Sequence, residues 1–205
     1  MRWVCERLAA HFGKGRWWPA SSRFEIAAGA LLTQQTTWAS AKKALAGLRR
    51  ARLLSPRSLA RAPLARIRPL IRCTGFWRQK SRRLKKLAAA WLRLEPSLPL
   101  PALRARLLAL DGVGKETADT ILLYAFNKPI LPIDAYTLRL CQRFPIPVRG
   151  YEEARALFER ELGGDVERLK AAHAHIVELC KRWCLKSRPL CPVCPLAARC
   201  HKLFK

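Results

Sequence analysis

Apolar and polar positions follow the spacing of helices from one end of the chain to the other. Leu, Ala and Arg are abundant, Gly and Pro interrupt the pattern, and no alternating run of Val, Ile and Thr is long enough for a sheet. The pattern therefore predicts an all-α protein. The predicted helices cover approximately residues 24–34, 37–50, 57–61, 63–70, 76–93, 101–110, 114–127, 135–143, 151–161 and 166–182.

The length of the chain limits how these helices can be organised. With 205 residues, the chain can bury a core and fold into one or two compact domains. No internal repeat or low-complexity linker divides the sequence, so any domain border has to be placed from motifs.

Positive charge dominates the composition. Lys and Arg number 40 against 14 Asp and Glu, which gives a net charge of +26. Seventeen of these cations fall between Ile26 and Leu94, a window without a single acid. Such an excess predicts nucleic acid as the partner, because Lys and Arg release counterions from phosphates. A membrane surface fits less well because the cations are spread over the chain, although many of them could simply form a solvated basic face.

The termini and the cysteines predict the cellular setting. The N-terminus lacks the apolar region of a secretory signal and no apolar run is long enough to span a membrane, so we expect a cytoplasmic, nucleoid-associated protein. Eight cysteines in a reducing compartment favour metal ligation over disulfides for those that cluster. Four of them lie singly and are expected to be small buried hydrophobes: Cys5, Cys73, Cys141 and Cys180.

The other four cysteines form one irregular motif near the C-terminus. The spacing is C-x6-C-x2-C-x5-C and the ligand candidates are Cys184, Cys191, Cys194 and Cys200. Structural zinc usually takes two close pairs, whereas only Cys191 and Cys194 are paired in this way, so a 4Fe-4S cluster fits better than zinc. The spacing also resembles that of the endonuclease III family. Basic residues flank the loop and either contact phosphate or merely keep the loop soluble.

A glycine pair interrupts the helices in the middle of the chain. Gly112 and Gly114 lie between a helix predicted to end near Leu110 and one predicted to begin near Lys115. Glycine permits a tight turn and the close approach of a phosphate to backbone N–H groups, and the next helix adds its dipole. This pattern predicts a sequence-independent DNA clamp, although alone it could be an ordinary turn.

An isolated acid follows the glycine pair. Asp134 comes after a Pro-rich stretch, twenty residues beyond Gly114, and opens the next predicted helix. A carboxylate at this point could stabilise positive charge on a sugar and orient or deprotonate a water molecule. It could also serve as the N-cap of the helix, and the two roles are compatible.

Together, the glycine pair and the acid resemble the helix-hairpin-helix DNA glycosylase superfamily over nearly the whole chain. The resemblance implies base excision repair of a damaged base flipped out of double-stranded DNA, with Asp134 as the catalytic residue, and we expect a monomer. Gln35, in a Leu-Leu-Thr-Gln-Gln-Thr motif, takes the position that fills the gap left by the flipped base. Phe76 takes the position of the intercalating wedge, and Lys115 is expected to contact phosphate.

The same resemblance implies the domain organisation. A six-helix barrel carrying the hairpin is expected at 23–133. A discontinuous iron-sulfur domain is expected to join residues 1–22 to 134–205, with a DNA cleft between the two domains.

The subfamily is indicated by one substitution. Endonuclease III has a Schiff-base lysine where this chain has Glu116, which predicts a monofunctional glycosylase with little AP lyase activity. Glutamate at this position resembles the 3-methyladenine glycosylase branch, although the best-known form of that branch lacks the iron-sulfur cysteines. Lys115 is the neighbouring residue, but one step along a helix turns a side chain by about 100°.

Aromatic residues support the same branch. An apolar slot that stacks an electron-poor, cationic alkylated purine between indoles is favourable through cation–π attraction. The pocket candidates are Trp17, Trp18, Trp38 and Tyr136. Trp17 and Trp18 could instead be core aromatics that attach the N-terminal segment to the C-terminal helices.

Three functions therefore remain open from the sequence. The first is a monofunctional glycosylase for alkylated purines. The second is an endonuclease III-like glycosylase and lyase for oxidised or deaminated pyrimidines, using Lys115 or no lyase lysine. The third is a DNA-binding protein without turnover, which retention of Asp134 disfavours.

Overall fold

The computed structural model describes residues 1–13 and 18–201, and all of its regular elements are helical, as the sequence pattern predicts. Two short 3-10 turns, Arg72–Thr74 and Cys191–Val193, accompany the α-helices. The α-helices are α1 (Arg2–Phe12), α2 (Arg23–Leu32), α3 (Trp38–Arg50), α4 (Pro56–Arg61), α5 (Leu64–Ile71), α6 (Trp77–Trp91), α7 (Leu100–Leu108), α8 (Lys115–Phe126), α9 (Ala135–Arg143), α10 (Tyr151–Leu162) and α11 (Val166–Arg182).

The predicted helices correspond to α2 through α11, with ends that differ by up to two residues. The sequence analysis missed α1, which has no side-chain N-cap and no acid in its first turn. Helix α1 buries Val4, Cys5 and Leu8 and packs on α11. This tertiary packing stabilises a helix that no local signal predicts.

The chain divides into two compact units. The central unit comprises Ala20–Phe126, and the terminal unit comprises Met1–Pro19 and Asn127–Lys205. The second border along the chain falls after Phe126, whereas the sequence analysis expected it after Ile133. Contacts explain this placement, because the Leu131 amide donates to Glu159 Oε1 at 3.1 Å and the Ile133 amide donates to Tyr151 Oη at 3.3 Å, both on α10.

In the central unit, α2 is the innermost helix. It packs against α3, α6 and α8, and its run of small residues lets these neighbours approach closely. Trp91 of α6 extends this core by contacting Phe24 of α2 and stacking on Phe126 of α8, with ring centroids 5.6 and 5.1 Å apart. The unit contains seven α-helices, one more than the expected barrel, and α4 is a single short turn of six residues.

In the terminal unit, α11 is the organising helix, because α1, α9 and α10 all pack on it. An aromatic group joins α1 to the end of α11, where Phe12 stacks on His175 at 5.4 Å and His11 meets Trp183 edge-on at 5.2 Å. No helix among the described residues combines the length and apolar character needed to cross a bilayer.

Candidate functional site

Asp134 is a buried N-cap. It precedes α9 with extended backbone angles, and its side chain is almost completely buried. Oδ1 accepts hydrogen bonds from the Thr137 amide at 2.7 Å and from the Thr137 hydroxyl at 2.9 Å. The capping role is therefore real. It uses one carboxylate oxygen and fixes the orientation of the group.

The second oxygen of Asp134 faces a histidine that the sequence analysis missed. His173, on α11, is itself buried and places Nε2 3.6 Å from Asp134 Oδ2. Burial acts to raise the pKa of Asp134, but His173 and the Thr137 hydrogen bonds outweigh it and hold the pKa below its ordinary value of 3.8. Asp134 is therefore a carboxylate at neutral pH, as a group that stabilises developing positive charge must be.

Two further residues of α9, Tyr136 and Arg139, contact each other. Tyr136 is half-buried, and the Arg139 guanidinium lies 5.1 Å from the centre of its ring. Arg139 also donates to the Cys180 carbonyl on α11 at 3.2 Å. Tyr136 thus already has a cation on one face, and its assignment to a base pocket stays a prediction.

The hairpin between α7 and α8 depends on Gly112 rather than on Gly114. Gly112 has a φ of +80°, and a Cβ there would collide with the side chain of Arg83. Gly114 has no left-handed φ and open space around it. The conformational requirement for glycine therefore falls on Gly112, and Gly114 contributes accessible backbone instead. Lys115 and Glu116 follow as exposed residues in the first turn of α8.

Gln34 and Gln35, in the loop after α2, have different roles. Gln34 Nε2 donates to the Gly112 carbonyl at 2.8 Å and to Thr117 Oγ1 at 2.9 Å, so it ties this loop to the hairpin. Gln35 is exposed and holds a left-handed φ of 51°. The structure therefore presents Gln35 outward, on a turn that Gln34 anchors, although its predicted contact with DNA stays a prediction.

Phe76 is also presented by a left-handed turn. Its φ is 44°, it immediately precedes α6, and 62% of its surface is exposed. An exposed phenylalanine at the tip of a loop is an unusual use of apolar surface and fits an intercalating wedge. Lys80, one turn into α6, is buried and donates to the Thr74 carbonyl in this loop and to the Leu32 carbonyl at the end of α2.

The three candidate DNA-contacting loops lie together in the central unit. The Gln35 loop is joined to the hairpin by Gln34 and to the Phe76 loop by Lys80, while Arg83 of α6 packs on Gly112. Sequence reasoning identified the exposed residues but not the side chains that tie their loops together. Those partners are up to 83 positions apart in the chain, as in the Gln34–Thr117 pair.

Trp17, Trp18 and Trp38 are the remaining aromatic candidates for a base pocket. Trp17 lies outside the described residues. Trp18 is half-buried with a left-handed φ of 67° and belongs to the terminal unit, whereas Trp38 is half-buried at the start of α3 in the central unit. A pocket formed by these residues stays a prediction.

The four clustered cysteines line one cavity in the terminal unit. Cys184, Cys191, Cys194 and Cys200 share this cavity with Arg143 and Trp183. Burial, together with the charges of the three other cysteines of the motif, raises the pKa of Cys194. Among the described residues, no group of three or more His, Cys, Asp or Glu side chains is arranged to hold a metal ion.

The surroundings of the cavity suit a negatively charged group. Arg143, the last residue of α9, is buried and points its guanidinium at the cysteine loop. It donates to Cys184 Sγ at 3.4 Å and to the carbonyls of Leu185 and Lys186 at 2.6 and 2.9 Å. Four thiols beside one buried cation are the type of donor set that an iron-sulfur cluster uses, because its thiolates carry negative charge, although the described side chains are not drawn together into a metal-holding group.

The burial of the four other cysteines agrees with the prediction for three of them and differs for one. Cys5, Cys141 and Cys180 are buried, as predicted. Cys73 is exposed, which corrects the expectation of a buried hydrophobe. It lies in the 3-10 turn before Phe76, where the chain leaves the core, and its thiol donates to the Ser40 carbonyl at 3.5 Å.

Comparison with known proteins places these features in a family. Residues 28–163 match the model of the HhH-GPD superfamily base excision DNA repair protein. Over 203 residues the chain is 37% identical to a protein of Methanocaldococcus jannaschii named "Putative DNA repair glycosylase MJ1434", and the match covers 94% of this chain and 92% of that protein.

More distant relatives include two glycosylases of different kinds. Endonuclease III of Thermotoga maritima is 28% identical over 183 residues, covering 87% of this chain and 82% of the relative. Among solved structures, the H. pylori 3-methyladenine DNA glycosylase bound to 1,N6-ethenoadenine aligns with a TM-score of 0.79 at 25% identity, covering 88% of this chain and 97% of that one.

Proposed function

Because the chain belongs to the HhH-GPD superfamily of base excision DNA repair proteins, we propose that this DNA glycosylase is monofunctional and acts on an alkylated purine such as 3-methyladenine. The observation that carries the proposal is the Asp134 carboxylate, which is buried, ionised and fixed by Thr137 and His173. A carboxylate held in this way can stabilise a sugar cation without first reorganising.

An alkylated purine suits an enzyme whose acid is already ionised. A base methylated at a ring nitrogen carries a positive charge, so it leaves as a neutral molecule when it takes the electrons of the glycosidic bond. The sugar then carries the positive charge until water adds to C1′ and releases a proton. Asp134 would stabilise that charge and orient the water, and no proton donor for the leaving base is required.

Glu116 supports the monofunctional part of the proposal. A lyase forms a Schiff base through an amine, and the position that carries the lysine in endonuclease III is a carboxylate here. Glu116 is exposed in the first turn of α8, where the helix dipole favours a negative charge. Lys115, next to it, would contact phosphate together with the hairpin amides.

The aromatic residues support the proposal that the substrate is an alkylated purine. Trp18, Trp38 and Tyr136, together with Trp17, would stack on the flipped cationic base. The likeness to a 3-methyladenine glycosylase adds to this argument at 25% identity. Gln35 would fill the gap that the base leaves, and Phe76 would occupy the stack beside it.

We further propose that Cys184, Cys191, Cys194 and Cys200 hold a 4Fe-4S cluster. When bound, the cluster would supply a rigid crosslink among the four thiolates. Arg143 would balance part of its charge and connect the loop to α9, at whose other end Asp134 lies.

Metal analysis of the purified protein tests the cluster. We expect about four iron atoms and four sulfides per chain, with broad visible absorption that a Cys194→Ser variant loses. Cys73→Ser is the matched control, because Cys73 is exposed and lies in the central unit. Stoichiometric zinc without iron would contradict the cluster and leave the glycosylase proposal intact.

The alternative substrate class is an oxidised or deaminated pyrimidine. The relative from T. maritima, an endonuclease III at 28% identity, favours it, as does the cysteine motif. Under this alternative the enzyme would use Lys115 as the nucleophile or have no lyase step.

Excision assays separate the two substrate classes. Duplexes that carry a methylated purine are compared with duplexes that carry thymine glycol, each with and without alkali to break abasic sites. We expect release of the methylated purine, with strand breakage only after alkali. Breakage of the thymine glycol duplex without alkali would overturn the proposal and assign the Schiff base to a lysine.

A further inference from the structure

Lys80 is a fully buried cation in the central unit, with 2% of its surface exposed. Its ammonium donates to the carbonyls of Leu32 at 2.9 Å, Gln34 at 2.7 Å and Thr74 at 2.8 Å. These bonds use all three of its protons. Among the described residues, no carboxylate forms an ion pair with Lys80. Burial is unfavourable for a charged amine and lowers the pKa of Lys80, so the three carbonyls have to offset this loss of hydration.

The three carbonyls belong to two separate loops. Leu32 and Gln34 lie at the end of α2 and just beyond it, and Thr74 ends the 3-10 turn that precedes α6. Each loop then continues into a residue with a left-handed backbone, Gln35 with a φ of 51° and Phe76 with a φ of 44°. Left-handed conformations of residues other than glycine persist only where the surrounding structure enforces them.

We propose that Lys80 is a positioning residue that holds Gln35 and Phe76 at a fixed separation, so that the two side chains enter DNA as one rigid probe. The proposal rests on the proposed function of both residues in opening the duplex. Lys80 lies beneath the two loops and does not itself reach DNA. Its effect is expected on the step that extrudes the base rather than on bond cleavage.

The test compares Lys80→Met with Lys85→Met. Lys85 is the matched control because it lies on the same helix and donates to a single carbonyl, that of Ala62 at 2.8 Å, away from both loops. Single-turnover excision is measured on a normal duplex and on the same lesion placed opposite an abasic site, where no partner base has to be replaced. The lesion used is whichever one the wild-type enzyme excises.

We expect Lys80→Met to slow excision from the normal duplex by about tenfold or more, with a much smaller loss opposite the abasic site. Lys85→Met should change neither rate. In a Phe76→Ala background, Lys80→Met should add little, because the probe is already missing. Equal losses on both duplexes, or losses that multiply in the double variant, would overturn the proposal.

Two additions keep the test decisive. If Lys80→Met fails to fold, Lys80→Gln replaces it, because the amide can still donate to two of the three carbonyls. Fluorescence of a 2-aminopurine placed beside the lesion reports opening of the duplex on binding, without any excision. If the wild-type enzyme excises no lesion, the proposed function fails, whereas unchanged fluorescence of the Lys80 variant would overturn the inference itself.

Discussion

Phe76 combines an unfavourable backbone with an exposed ring. A left-handed φ of 44° disfavours any side chain with a Cβ, and 62% exposure means that the ring gains little from burial. Neither property stabilises the free protein, and both fit the DNA-contacting role proposed for this residue. Gln35 combines the same two properties, a left-handed φ of 51° and an exposed side chain.

The first prediction separates the ring from the backbone at this position. Phe76→Gly and Phe76→Ala both remove the ring, and excision should fall by a similar factor of about ten in each. Only glycine relieves the left-handed strain, so Phe76→Gly should exceed Phe76→Ala in free energy of unfolding by about 1 kcal/mol. Urea denaturation measures the difference. Equal stability of the two variants would mean that the loop relaxes and that the strain is not enforced.

At this scale, the sequence singled out candidate site residues and missed the residues that support them. Asp134, Gln35 and Phe76 were found because each lies in a short local motif. His173 lies 39 positions from Asp134, and Lys80 lies 46 positions from Gln34. Local patterns carry no information about such pairs, and a buried lysine cannot be told from an exposed one in a basic helix.

The helical hairpin is the element that we propose binds a phosphate, and its geometry determines whether it can. Its turn is fixed from two sides, by Gln34, which donates to the Gly112 carbonyl, and by the Arg83 side chain, which lies where a Cβ at residue 112 would project. Asp111 pairs with Lys86 at 3.0 Å on the exposed side. The amides of the turn are therefore held in place before DNA arrives, which lowers the entropic cost of binding.

The second prediction assigns different effects to the two glycines of the hairpin. Gly112→Ala should lower the free energy of unfolding by about 1 to 2 kcal/mol, because its φ of +80° disfavours alanine and its Cβ would displace Arg83. Gly114→Ala should change stability by less than about 0.5 kcal/mol but weaken duplex binding by about threefold or more, because a methyl group would keep the phosphate from the backbone. Thermal unfolding and binding titrations test both effects, and the opposite assignment would contradict this account of the hairpin.

Helix prediction succeeded where capping and amphipathic signals agreed. Ser22, Thr37 and Asp165 are side-chain caps that the structure uses at the starts of α2, α3 and α11. Helix α1 was missed because nothing local marks its start, and its aromatic contacts with α11 come from the far end of the chain. The placement of 127–133 in the terminal unit was missed for the same reason, because α10 supplies the bonds that hold it.

At the scale of the whole molecule, the sequence indicates well where the exposed positive charge lies. Most of the seventeen cations between Ile26 and Leu94 are exposed, and Lys80 is the one that is buried. All of them belong to the central unit, which also carries the hairpin, Gln35 and Phe76. Electrostatic attraction to phosphate and the proposed base-opening residues therefore reside on the same unit.

The third prediction concerns salt. If about six phosphates are neutralised on binding, affinity for an undamaged duplex should fall by about a thousandfold between 50 and 200 mM salt. Fluorescence anisotropy at several salt concentrations gives the slope. Replacing Lys42 and Lys43 together by Gln should make the slope shallower by up to about two if both contact phosphate. A flat salt dependence would show that the excess charge serves solubility alone.

The fourth prediction concerns Asp134, which carries the proposed chemistry. Asn is as good an N-cap as Asp, so Asp134→Asn should keep α9 and the fold while removing the negative charge. In the wild-type enzyme the lowered pKa keeps this carboxylate ionised at neutral pH. Its contribution to excision should be lost only as the pH falls through that lowered pKa. Loss of activity in the variant would therefore report the charge and not the cap.

The most direct measurement is single-turnover excision of a methylated purine from duplex DNA by the wild type and by Asp134→Asn, with duplex binding and thermal unfolding recorded for both. We predict that the wild type releases the base without breaking the strand. The variant should remain folded at the assay temperature and bind the duplex like the wild type, but excise at least about a hundredfold more slowly. Excision at the wild-type rate by a folded, DNA-binding Asp134→Asn variant would contradict the mechanism.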